Sequence, residues 1–200
     1  MERAGLFHAC LSLGGSCGFD EEHSRHVGKL ALRLYDQLEE RLDLPDEARD
    51  ILECAALLHD IGYAEGYEGH HKTAFRLILN ASLPGLTSRD LALVANVARY
   101  HRGARPDEKH PGYASLGADD RSLVVQLAAI LRLADGLDRT HGGAVSDVEV
   151  RFEDNRLTVL VRCPTGCDAE LWAGAKKGRL LGDVLGLRIE VCESCCCEER

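Results

Sequence analysis

Residues 121–141 read RSLVVQLAAILRLADGLDRTH. Apolar side chains fall on nearly every face of a helix drawn through this stretch, which predicts a helix buried on most sides at the centre of a bundle. Asp135 interrupts its apolar end. An ionised carboxylate is costly to bury alone, so Asp135 must meet a cation there. That cation is either an arginine such as Arg139 or a metal ion.

Working outward, residues 20–42 (DEEHSRHVGKLALRLYDQLEERL) place Val27, Leu30, Leu34, Leu38 and Leu42 at helical spacing, with Asp20 as the cap. Residues 46–62 (DEARDILECAALLHDIG) carry Ile51, Ala55, Leu58 and Ile61 on one face, and Gly62 is expected to end the helix. A Gly- and Tyr-rich loop over 63–69 leads to HHKTAFRLILNA over 70–81, again helical by Ala74, Leu77 and Ile78. Pro84-Gly85 is a turn, Thr87 opens a helix over 88–102, and 103–119 is a polar loop.

The pattern changes near Gly142-Gly143. Residues 145–163 alternate polar and apolar on both sides of Asp154-Asn155, a β-hairpin signal. One helix is expected over 168–186 and a strand over 187–192. The fold class is therefore mainly α: a helical domain over 1–142, a small ββαβ appendage over 143–192, and a Cys-rich polar tail over 193–200 expected to be disordered.

The chain has 200 residues, 45% hydrophobic and 28% charged, with 24 Lys+Arg against 33 Asp+Glu and a net charge of −9. This suits a soluble globular protein and argues against a nucleic-acid coat or a basic membrane surface. No apolar run reaches the ~20 residues that span a bilayer. The opening MERAGLFHACLSLGG is a poor signal peptide, so the expected location is cytoplasmic. Thiols stay reduced there, and a disulfide framework is not expected. Cys10, Cys17 and Cys54 read as small buried hydrophobes. Cys163, Cys167, Cys192 and Cys195 are loosely spaced for a four-thiolate zinc site, and an accidental or redox-sensitive tail is the preferred reading. Trp172 reads as a core anchor.

The nine histidines carry more information. His23 lies in the first turn of one helix, His59-Asp60 closes a second, His70 and His71 open a third, and His101 ends a fourth. Such ends converge at one face of a bundle. Imidazole and carboxylate together suit divalent transition metals, and a carboxylate beside a ligand histidine can bridge two ions. His141 is placed at the site edge, His26 in a supporting or surface position, and His8 and His110 as structural or exposed.

The ordered set His23, His59-Asp60 and Asp135 resembles the H…HD…D pattern of the HD superfamily. With GHHKTAFRLILNASLPG, RYHRG and LRLADGLDRTHGG, residues 20–192 resemble the C-terminal HD domain of the exopolyphosphatase/guanosine pentaphosphate phosphohydrolase family. The resemblance implies an HD-type helical bundle in which His23, His59, Asp60 and Asp135 hold one divalent ion (Mn, Fe, Ni, Co, Zn or Mg). It implies His70 and His101 as ligands of a second, with His71 as alternative ligand or proton donor. In that family an actin-like phosphatase module precedes this domain. The roughly 20 residues ahead of His23 cannot hold it, so the metal site is what is expected to carry over.

The activity implied is metal-dependent hydrolysis of a phosphomonoester or phosphodiester of a small nucleotide-like substrate through metal-activated water. Asp60 would bridge or orient the metals, and His70, His71 or Lys72 would stabilise charge on the phosphate or leaving group. Lys72, Arg102 and Arg105 are the expected phosphate-binding residues. The rival readings are a non-catalytic nucleotide- or polyphosphate-binding regulatory module and a di-iron oxygenase. The expected partners are the phosphorylated substrate and, in a homodimer, a second copy of the chain, with no membrane.

Overall fold

A computed structural model describes residues 3–194. Helix α1 (Arg3–Ser16) is followed by α2 (Glu21–Leu42), α3 (Ala48–Leu58), a 3-10 turn (Ile61–Glu65), α4 (His70–Leu79), α5 (Ser88–Arg99), the single turn α6 (Pro111–Ala114) and α7 (Ala118–Gly136). Strands β1 (Asp147–Glu153) and β2 (Arg156–Arg162), helices α8 (Asp168–Lys177) and α9 (Arg179–Leu185), and strand β3 (Arg188–Glu193) complete the chain. The architecture is mainly α with a small C-terminal α+β part, as the periodicity predicts. No described helix is long and apolar enough to cross a membrane.

Local chemistry sets the helix starts. Asp20 accepts a hydrogen bond from the His23 amide at 3.0 Å, and Thr87 with Asp90 forms a reciprocal capping box at the head of α5. Helix α2 buries Val27, Leu30, Ala31, Leu34, Tyr35 and Leu38, and α7 buries Leu123 through Gly136 on most of its faces. β2 lies between β1, antiparallel, and β3, parallel. Val148, Leu157, Val159 and Val161 of the sheet join the same apolar cluster as α2, α3 and α7.

Four expectations need correction. The segment read only as a poor leader forms α1, which buries Leu6 and Cys10. Helix α3 stops at Leu58 rather than at Gly62. Gly62 instead lets α4 approach: a Cβ there would lie 1.9 Å from the His70 carbonyl oxygen. The helix over 168–186 is two helices broken at Gly178, whose Cβ would meet Ile189 at 2.8 Å. Cys163 and Cys167 form a disulfide, because the turn through Gly166 brings their Cα atoms to 5.9 Å, and this removes both from any thiolate zinc site. Cys10 and Cys54 are buried as expected, whereas Cys17 is half-buried. Of the segment read as a tail, Glu193 belongs to β3, and Cys195 with the rest of 195–200 lies outside the described residues.

Candidate metal centre

Five helical segments deliver the cluster. His23 comes from the first turn of α2, His59 and Asp60 from the step between α3 and the 3-10 turn, His70 from the start of α4, His101 from just past α5, and Asp135 from the end of α7. His59 keeps helical dihedrals, and Asp60 departs to φ −106°, ψ 5°, which turns its carboxylate inward. All six side chains are buried, from 0% exposure at His59 to 8% at Asp135.

Asp60 lies at the middle. Its Oδ2 is 3.4 Å from His59 Nε2 and 3.8 Å from His23 Nε2, and its Oδ1 is 3.2 Å from His70 Nε2 and 3.4 Å from His101 Nε2. Asp135 Oδ1 is 3.8 Å from His23 Nε2. The other nitrogen of every ring is already engaged. Nδ1 of His59, His70 and His101 lies 2.7, 2.9 and 2.7 Å from the carbonyl oxygens of Ala56, Tyr67 and Ala98. His23 Nδ1 lies 2.7 Å from Asp138 Oδ2, and the Gly143 amide donates to the other oxygen of Asp138. These contacts fix each ring with Nδ1 outward and Nε2 facing the centre, the arrangement in which a carbonyl or carboxylate orients a metal-ligating imidazole.

The centre fits a divalent ion. His23 Nε2, His59 Nε2 and Asp60 Oδ1 are buried with no hydrogen-bond partner among the described residues. Such atoms are expensive unless something binds them. Two fully buried triads have donor atoms close enough to share an ion, His23–His59–Asp135 and His59–Asp60–His101.

Without an ion, the charges answer one another. Burial disfavours a charged His59, but the Asp60 carboxylate outweighs it and lifts the imidazole to about 9. Burial would raise Asp60, yet the positive charge of His59 beside it holds it well below the usual carboxylate range. Burial and the neighbouring His59 charge push His101 down to about 3. Asp135 resists its own burial through Lys177 and sits at about 2. The partner of Asp135 is thus Lys177 from α8, rather than Arg139.

The cluster opens into a cleft of about 640 Å³ lined by Asp60, Tyr63, Tyr67, His101, Arg102, Arg132, Asp135, Arg139, His141, Trp172, Lys176 and Lys177 among others. Arg102 Nη1 stands 3.4 Å from His70 Nε2, and its guanidinium lies over Tyr67. Tyr63 stacks on His70 at 4.0 Å. Arg132 is committed to the Tyr100, Gly103 and Ala104 carbonyls and so shapes the loop after α5. His141 sits at the rim as expected, stacked on His23 at 3.6 Å with Nδ1 3.1 Å from Asp20.

Other candidates lie elsewhere. Lys72 is exposed on α4 and does not line the cleft. Arg105 pairs with Asp183 of α9 at 2.5 Å. His71 is half-buried beside Gly103, edge-on to His70 at 5.9 Å, and burial pushes its pKa down to about 4. His8 is exposed, and His110 is bound to the Tyr100 hydroxyl. His26 is half-buried. Trp172 corrects its reading: it is 64% exposed on the cleft wall, while the neighbouring Ala173 and Gly174 are the α8 residues that meet Gly136 and Leu137. Nothing in the sequence reading brings Trp172, Lys176 and Lys177 to the cleft they line; the only sequence signal is their helical i, i+4 and i, i+5 spacing.

The family model described as Ppx/GppA phosphatase, domain III matches residues 10–170, a match that stops two residues before Trp172. A guanosine-5'-triphosphate,3'-diphosphate pyrophosphatase of Aeromonas salmonicida (strain A449) is 29% identical over 163 residues, covering 80% of this chain and 32% of that protein. The chain therefore spans about a third of the length of this relative. With most of its residues matched by the domain model, the chain belongs to the Ppx/GppA phosphatase domain III family.

Proposed function

We propose that this chain hydrolyses a phosphomonoester or phosphodiester of a small nucleotide-like molecule at an HD-type centre requiring one or two divalent metal ions. The observation that carries this reading is Asp60, with one oxygen turned to His23 and His59 and the other to His70 and His101. A bridging carboxylate between two sets of Nε2 donors suits a pair of ions. The pyrophosphatase name of the Aeromonas relative supports a hydrolase acting on phosphorylated substrates.

His23, His59, Asp60 and Asp135 would hold one ion, and Asp60, His70 and His101 the second. Ions bound there would acidify a water molecule and draw charge from the phosphoryl oxygens. Arg102, beside His70, is placed to take a phosphoryl oxygen through its planar donor pair. Arg139 offers a second cation at the exposed rim. Lys177 balances Asp135 from the appendage side. Asp138 keeps His23 oriented, and the three backbone carbonyls do the same for the other rings.

The test is elemental analysis of the purified protein together with hydrolysis of a panel of nucleotides and phosphoesters before and after chelation. Bound Mn, Fe, Co, Ni or Zn, with turnover lost on chelation and restored by one of these ions or Mg, is the expected result. Metal-supplemented protein with no bound metal and no hydrolysis would overturn it, as would iron-dependent oxygen consumption without phosphate release.

A further inference from the structure

Among the described residues, five large apolar side chains are conspicuously exposed, and three of them, Tyr63, Tyr67 and Trp172, line the cleft that leads to the histidine–carboxylate cluster. The concentration is informative, because exposed aromatics on a soluble protein are otherwise scattered. Their fractional exposures are 38%, 69% and 64%. The other two, Leu79 and Phe152, lie elsewhere, Phe152 with the Arg41 guanidinium over one face of its ring.

Charge is redistributed in the same place. The chain carries −9 overall, yet the cleft lining holds five cations (Arg102, Arg132, Arg139, Lys176 and Lys177) against two carboxylates, Asp60 and Asp135. Those two carboxylates belong to the cluster, and Arg132 and Lys177 are engaged by backbone carbonyls and by Asp135. Arg102, Arg139 and Lys176 remain to face a ligand. Lys176 rides on the Trp172 indole, 4.9 Å from its centroid, and leaves most of the indole surface open.

We propose that Trp172 and Lys176 on α8 form a nucleoside subsite in which the indole stacks the aromatic base and the ammonium meets a phosphate or ribose oxygen, while the phosphoryl end points toward Asp60. A phosphosugar or inorganic phosphate chain can meet the ammonium but brings no aromatic base to stack on the indole, and so gains less from this wall. The chemical class selected is a nucleotide, of either base type, since stacking tolerates every base. This rests on the cluster being the phosphohydrolase centre proposed above.

Trp172 is the only tryptophan in the chain, so its emission reports the subsite directly. The experiment titrates the protein with adenosine and guanosine 5'-monophosphate, ribose 5-phosphate and inorganic pyrophosphate, correcting for absorption by the bases. Saturable quenching by both nucleotides and none by the other two is expected. By calorimetry, Trp172→Ala should weaken nucleotide binding by roughly 5- to 100-fold, and Trp172→Tyr should retain most of it. Pyrophosphate binding should be unchanged in both, and matching thermal melts exclude misfolding of this exposed position. Ribose 5-phosphate binding as tightly as the nucleotides, or wild-type nucleotide affinity in Trp172→Ala, overturns the subsite. Quenching without turnover keeps the subsite and removes the hydrolase reading. Turnover of sugar phosphates with unmoved tryptophan emission does the reverse.

Discussion

The bundle and the appendage contribute to the same cleft in opposite ways. From the bundle come side chains with almost no exposed surface, His23 at 1%, His59 at 0% and His101 at 2%, each tied down through Nδ1. From the appendage comes α8, which presents Trp172 at 64% exposure and a half-exposed Lys177. On the function proposed above, the difference would separate chemistry from selection. A buried, oriented donor set suits a fixed cation, because reorganisation there would be costly. An exposed aromatic and cationic wall suits a ligand that must come and go.

The strongest way to break this comparison is at the buried side. His59→Ala should lower hydrolysis by more than roughly 100-fold and reduce bound metal in proportion, since even outer contacts of metal ligands are worth 10- to 100-fold. Activity that survives with metal content intact would remove the bundle from the chemistry. Next comes Asp138→Asn, which keeps the shape but weakens the acceptor of His23 Nδ1. Its metal affinity, measured by competition with a chelator, should fall by about 10- to 100-fold.

Gly62→Ala tests the scaffold beneath the site. A Cβ 1.9 Å from the His70 carbonyl forces α4 away, and denaturant unfolding should show a loss of about 1–3 kcal/mol with weakened metal binding. Wild-type stability would mean that α4 is not held where Gly62 places it. The smallest effect is expected far from the cleft. Arg33→Ala breaks an exposed ion pair to Asp147 between α2 and β1, and the thermal midpoint should not move measurably. A clear drop would make this outer seam between bundle and appendage more important than the buried one.

Much of the bundle side was legible in the sequence. Asp135 advertised a partner because it sits among Leu131, Leu133 and Leu137, and the helical stripe of α2 fixed which way His23 faces. The order of His and Asp types and the flanking motifs then pointed to one convergent cluster, which the folded chain assembles around Asp60. The appendage side was far less legible. An exposed Trp172 and two lysines on a short helix look like an ordinary solvated face, and nothing local says that α8 lies against α7 rather than beside the sheet alone. The same distance in sequence hides the side-chain partner of Asp135: Arg139, the arginine alternative, is near in sequence, whereas Lys177 is near only after folding. The break at Gly178 was hidden because apolar residues continue on both sides, and the tight contact with Ile189 that requires glycine is tertiary.

The seat of α8 has one more consequence. A Cβ on Gly136 would lie 3.0 Å from the Ala173 carbonyl oxygen and 3.1 Å from the Gly174 Cα, so the two helices meet backbone to backbone. Bare backbones in contact leave no side-chain cushion to absorb a shift. Sliding α8 by one turn, about 5.4 Å, would carry Lys177 away from Asp135 and the indole away from the cleft mouth together. The glycine contact therefore acts as a gauge that sets the spacing between the histidine–carboxylate cluster and the Trp172 wall, and so, on the proposed function, the length of molecule that would span them.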